Sequence, residues 1–161
     1  GRRLVGDAGI LVTRVIYVKR GRARTFVIVD AAMNDLIRPT LYDAWHPVTP
    51  VTEPASEAPV ERIDLVGPVC ESGDVLAEQR PLPPLAAGDL LAIGACGAYG
   101  AVMASGYNAL LPAPEIMVRG ASHAIVKVRP GHDLIIGYDR LPGWLDRPAA
   151  APNSARRKAT A

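Results

Sequence analysis

The chain has 161 residues, of which 49% are apolar and 21% charged, a globular composition rather than a disordered one. Lysine plus arginine number 18 against 16 acidic residues, and a net charge of +2 builds no field that would gather nucleic acid or anionic lipid. No apolar run reaches the roughly 18 residues that a membrane span needs, and the length suits one ordinary domain.

In chain order, residues 3–9 carry two glycines and little alternation, which predicts a loop or a short helical turn. Residues 10–18 are rich in β-branched side chains and predict a long strand. Lys19-Arg20-Gly21-Arg22 is a basic turn, and residues 24–30 predict a second strand, so that residues 10–30 form a hairpin. A basic turn can serve an anion, but charge clusters on turns are usually solvated hairpin tips, and this one is read so. Pro39 suits the first turn of a short helix within residues 34–46, and it biases Arg38 before it toward extended backbone. Residues 47–60 hold four prolines and predict a loop. Residues 62–66 and 89–95 predict short strands, separated by a proline-rich connector at 81–88. A small-residue turn follows at 94–100, then two late strands at 115–119 and 124–128. The segment 146–161, made of alanine, proline and basic residues, reads as a disordered tail. There is no internal repeat. Many short strands between glycine and proline turns predict a mainly β fold, a sandwich or barrel.

Cys70 and Cys96 make neither a metal-type pair nor a disulfide framework, which points to a reduced, cytoplasmic setting. His46, His123 and His132 are too scattered for a metal site and are assigned structural roles, and Cys96 is assigned to the core. Asp35, Asp43 and Asp74 are assigned to turns and caps. The chain opens on Gly1-Arg2-Arg3 with no methionine or signal segment, and reads as a piece of a longer protein.

Four clusters carry groups able to bond a small zwitterion: Gly1-Arg2; residues 37–42 with Arg38 and Tyr42; residues 67–74 with Cys70 and Glu71; and Gly97-Ala98-Tyr99-Gly100. Taken singly, Cys70 is an inert buried thiol, Arg38 a surface ion pair, Glu71 a solvated acid, and Tyr42 and Tyr99 packing residues. In this order the clusters resemble the C-terminal part of the diaminopimelate decarboxylases. These are pyridoxal-phosphate enzymes with an alanine-racemase-like (β/α)8 barrel and a β domain. Gly1-Arg2 resembles the end of the family's Glu-Pro-Gly-Arg signature. Met33 to Pro39 with Leu41-Tyr42-Asp43-Ala44 resembles its second block, Gly67 to Asp74 its third, and Gly97 to Gly100 with Tyr107-Asn108 its fourth. The third block is the most specific, because ornithine-type relatives typically have Asp where Glu71 stands.

The resemblance implies removal of CO2 from meso-2,6-diaminopimelate to give L-lysine. Arg2, Arg38, Tyr42, Glu71 and Tyr99 would bind substrate, the arginines through planar forks of N–H donors. Cys70 would give the proton to the α-carbon. Gly1, Arg2 and Tyr99 would contact the pyridoxal phosphate. It further implies a homodimer in which Cys70 and Glu71 reach into the partner's active site. Residues 1–9 would then end the barrel, and residues 10–145 would be the β domain. None of Lys19, Lys127 or Lys158 fits the lysine that binds the cofactor, so the chain alone is expected to be inactive and prone to aggregate. Two other readings are a related ornithine, arginine or carboxy-polyamine decarboxylase, and a non-catalytic β-sandwich binding module.

Overall fold

The computed structural model describes residues 1–55 and 58–145; the expected tail at 146–161 lies outside them. They fall into two compact units, Gly1–Pro130 and a small one starting at Gly131.

In the first unit, a single helical turn α1 (Arg2–Val5) leads through a 3-10 turn at Gly6–Ala8 into β1 (Leu11–Arg20). The expected hairpin is present: β1 pairs antiparallel with β2 (Thr25–Val29) around an exposed tip. Two arginines at that tip are ion-paired, Arg20 with Glu61 at 3.3 Å and Arg24 with Asp64 at 3.1 Å. The short helix α2 spans Arg38–Tyr42, with Pro39 in its first turn. Arg38 is thus helical, not extended. Ile37 ahead of it is already in the helical region (φ −73°, ψ −18°), and the Arg38 carbonyl accepts from Ala44 N–H, so the proline's preference yields to the turn.

Four further strands complete the main sheet: β3 (Val48–Pro50), β4 (Glu61–Val66), β5 (Val75–Leu82) and β6 (Leu90–Ile93). Its order is β3-β6-β1-β2-β4-β5, with β2 and β4 parallel and the other pairs antiparallel. The edge strands β3 and β5 approach each other, so the sheet curls almost into a barrel. Neither edge strand was expected from the sequence. β3 is three residues inside the proline-rich loop. β5 holds Pro81 and a bulge at Gln79 (φ 48°), which break the alternation that marks a strand. Both edges tolerate proline because a strand there needs a ladder donor on one side only. Asp64 fastens the bulge by accepting from Gln79 N at 2.8 Å and from Gln79 Nε2 at 3.1 Å.

The core lies inside this curled sheet: Val15, Val27, Val29, Leu36, Ile63, Leu65, Leu76, Leu91 and Ile93 are buried together. Cys96 packs against them, as expected of a core thiol. A separate hairpin, β7 (Glu115–Arg119) with β8 (Ser122–Lys127), keeps Ile116, Val118 and Ile125 exposed. In the second unit, α3 (His132–Ile136) follows Gly131 and a 3-10 turn spans Gly143–Leu145. Among the described residues no helix is long and apolar enough to cross a membrane.

Candidate functional site

The four sequence clusters occupy loops and turns that are hydrogen-bonded to one another. The turn carrying Cys70 and Glu71 is organised by buried Asp74. One of its carboxylate oxygens accepts from Val69 N (2.8 Å), closing the turn, and the other accepts from Met33 N (2.7 Å), tying it to the loop before α2. Burial raises the Asp74 pKa, while the bonds from Met33 and Val69 oppose that rise. The same turn is fastened to α2, because Thr40 Oγ1 donates to the Gly73 carbonyl. A Cβ on Gly73 would lie 2.9 Å from Thr40 Cγ2, so a side chain there would push the two elements apart.

A second set of bonds joins α2 to the turn that carries Tyr99. His46 is fully buried; its Nε2 faces Arg38 Nη1 at 3.2 Å and its Nδ1 faces the Gly94 carbonyl at 2.9 Å. Burial pushes the His46 pKa down, and the cations of Arg38 and Arg80 push the same way against the Gly94 bond. The Tyr99 turn is joined in its turn to the N-terminal segment: Gly97 N donates to Gly6 O (3.0 Å) and Cys96 N to Gly9 O (2.9 Å). Gly97 and Gly9 touch backbone to backbone, since a Cβ on Gly97 would stand 2.8 Å from Gly9 N.

Within this frame the expected site side chains are placed as follows. Arg38 is half-buried at the start of α2, and no acid pairs with it among the described residues. Tyr42 is exposed at the other end of the helix. Cys70 and Glu71 are exposed, and Glu71 Oε1 accepts from Gly73 N at 3.1 Å, leaving its other oxygen open. Tyr99 is half-exposed and sits at φ 60°, a left-handed conformation costly for a side chain of its size. Gly1 and Arg2 are exposed at α1, where Gly1 O accepts from Leu4 and Val5 N–H. The structure therefore connects the four segments, but no hydrogen bond joins any two of these side chains directly.

Two features escaped the sequence reading. His46 was assigned a structural role, but its contact with Arg38 crosses the C-terminal end of α2 and has no sequence signature. Arg80 lies with its guanidinium 4.4 Å above the Trp45 ring, lining a groove of about 390 Å³ between α2 and β5. Its strand had gone unrecognised, so its partner could not be read.

Residues 5–97 match the family model described as pyridoxal-dependent decarboxylase, C-terminal sheet domain. The chain belongs to that family. This decarboxylase sheet domain is 50% identical over 143 residues to the diaminopimelate decarboxylase of Pseudomonas aeruginosa, and 44% identical over 145 residues to that of Zymomonas mobilis. The matches cover 88% and 90% of the domain's chain, and 34% of each relative. The crystal structure of diaminopimelate decarboxylase from M. jannaschii in co-complex with L-lysine superposes with a TM-score of 0.84 at 33% identity, over 90% of this chain and 33% of that one. The domain thus spans about a third of the length of the relatives it matches, and the (β/α)8 barrel is not within it.

The sheet domain's residues fit the open side of a pyridoxal group rather than its anchor. Cys70, Tyr42 and Tyr99 are exposed, Arg38 has no acid beside it among the described residues, and the glycine turn under Tyr99 brings backbone close. Lys19 lies in β1, and Lys127 is ion-paired with Glu115 at 3.1 Å on the separate hairpin. Neither amine lies on the site segments.

Proposed function

We propose that this sheet domain supplies the substrate-facing part of a diaminopimelate decarboxylase active site, in a longer chain that converts meso-2,6-diaminopimelate to L-lysine and CO2. One observation carries the reading. The four matched segments are hydrogen-bonded into one frame, yet among the described residues no acid pairs with Arg38, and the Cys70, Tyr42 and Tyr99 side chains make no hydrogen bond. The L-lysine in the M. jannaschii complex is the product this reaction would release.

The pyridoxal group, when bound, supplies the electron sink for the pair left behind as the carboxyl departs. The sheet domain's part is to recognise the substrate and deliver a proton. The substrate has two amino-acid ends and only one loses CO2, so the far end must be held. Arg38 and Arg2 grip its carboxylate by charge-assisted hydrogen bonds. Glu71 accepts from its ammonium, and Tyr42 adds a hydroxyl. Cys70 Sγ gives its proton to the α-carbon, and Tyr99 lays its ring and hydroxyl against cofactor and substrate. Gly1 and Arg2 lie toward the phosphate. Cys70 and Glu71, exposed on a braced turn, complete the pocket of a second copy, which makes the functional unit a homodimer. Two unpaired cysteines suit a reducing, cytoplasmic compartment.

The test is an assay of the full-length protein on diaminopimelate and on ornithine, with Arg38→Ala beside the wild type. Selective release of lysine, and a KM for diaminopimelate raised about tenfold or more in the variant, are expected from the loss of a charge-assisted contact. Turnover of ornithine alone, or an unaltered KM and rate in Arg38→Ala, would overturn the reading.

A further inference from the structure

We infer that His46 is a positioning residue for Arg38: a neutral imidazole that aims the guanidinium without neutralising it. This rests on the reading of Arg38 as a substrate clamp and adds to it how the clamp is held. The partners of His46 specify its protonation state. A guanidinium has only donors, so Nε2, 3.2 Å from Arg38 Nη1, must accept. A carbonyl has only lone pairs, so Nδ1, 2.9 Å from Gly94 O, must carry the hydrogen. One tautomer satisfies both bonds. A second proton would set N–H against N–H in a site with no exposure to water. Arg38 and Arg80 are the cations facing the ring, the Cys96 thiol lies 3.9 Å from Nδ1, and the lowered pKa agrees with the geometry.

The choice of partner has a chemical consequence. A carboxylate partner would cancel the guanidinium's charge and take up its donors. Here the orienting group is neutral, so Arg38 keeps its full positive charge and its remaining N–H donors for a carboxylate from outside the chain. His46 also grips Gly94, where the turn leading to Tyr99 begins. It therefore holds two site segments in register.

Two substitutions in the full-length protein separate the contacts. The amide of His46→Gln reaches the Nε2 position and can still accept from Arg38, whereas the shorter amide of His46→Asn reaches only toward Gly94. Expected are a KM for diaminopimelate raised about tenfold in His46→Asn with kcat within about threefold, and near wild-type constants in His46→Gln. Equal effects of the two substitutions, or none, would overturn the inference. A readout independent of activity is the 15N spectrum of the His46 ring in the wild-type protein. Nδ1 protonated and Nε2 bare, with the Nε2 resonance displaced in Arg38→Ala, is expected; a protonated Nε2 overturns the inference even where Arg38→Ala raises KM. The expected spectrum with an unchanged KM in Arg38→Ala would instead bring down the clamp reading, and the positioning role with it.

Discussion

Thr40 gives its hydroxyl hydrogen to the carbonyl of Gly73, and this bond fastens the helix bearing Arg38 and Tyr42 to the turn bearing Cys70 and Glu71. Those two pairs are separated by about thirty positions of sequence and by strand β4. Their relative placement therefore depends on this bond and on the Asp74 bonds beside it. Thr40→Val keeps the methyl contact with Gly73 and removes the donor. It is expected to cost about 1 kcal/mol of stability and to raise the KM for diaminopimelate. Urea unfolding and steady-state kinetics of the full-length protein check both; unchanged constants would show that the turn is placed without Thr40.

Cys70 is exposed on a turn whose fold does not use its sulfur: the closing bonds come from Asp74, Glu71 and backbone. Cys70→Ala should therefore leave folding intact. In the full-length protein, turnover should fall by a factor on the order of 100 or more, with pyridoxal absorbance retained, as expected for loss of a general acid. Turnover within a few-fold of wild type would remove Cys70 from the proton transfer.

Tyr99 occupies left-handed backbone at φ 60° with half its surface exposed, so the strain of its conformation and the packing of its buried half oppose each other. Strain of this kind is worth about 1–2 kcal/mol in a non-glycine residue. Tyr99→Gly should leave the melting temperature nearly unchanged, because relief of strain offsets the lost packing, while lowering activity at least about tenfold; Tyr99→Phe, which keeps the strain and the ring, isolates the hydroxyl. A lowered melting temperature in Tyr99→Gly would mean that the ring is a packing element.

The buried imidazole of His46 gives stability a pH dependence of defined sign. Its folded pKa is lowered from the ordinary 6.5. As pH falls through 6.5 the unfolded chain takes up a proton that the folded chain refuses, so stability drops until the lowered folded value is passed. Arg38, Arg80, Cys96 and the Gly94 carbonyl face the ring, and none supplies a negative charge that would reverse the sign. Asp35 and Asp74 act oppositely: burial raises both, so each becomes less costly as pH falls toward its folded value. Denaturant midpoints of wild type and His46→Gln between pH 7 and 5 separate these effects. The wild type should lose the extra stability and the variant should show a flatter profile; parallel profiles would show that His46 protonates in place.

The strand β1, its hairpin with β2 and the small-residue turn at Tyr99 were legible because each is written in contiguous residues: a run rich in β-branched side chains, a glycine tip, a glycine run. The candidate site residues were proposed from short motifs, each of which lies in contiguous sequence. Strand β5 was not legible, since its proline and its bulge are tolerable only at a sheet edge, and a local pattern does not say where the edge falls. Asp74 looked like a turn residue and is one, but its second oxygen reaches Met33, 41 positions earlier. Local sequence determined which functional groups this protein carries, because side-chain chemistry and turn geometry are properties of neighbouring residues. Only the tertiary structure decided that Arg38 is held by His46 rather than by an acid, because the curled sheet and its buried hydrogen bonds choose partners by position in space, not in sequence.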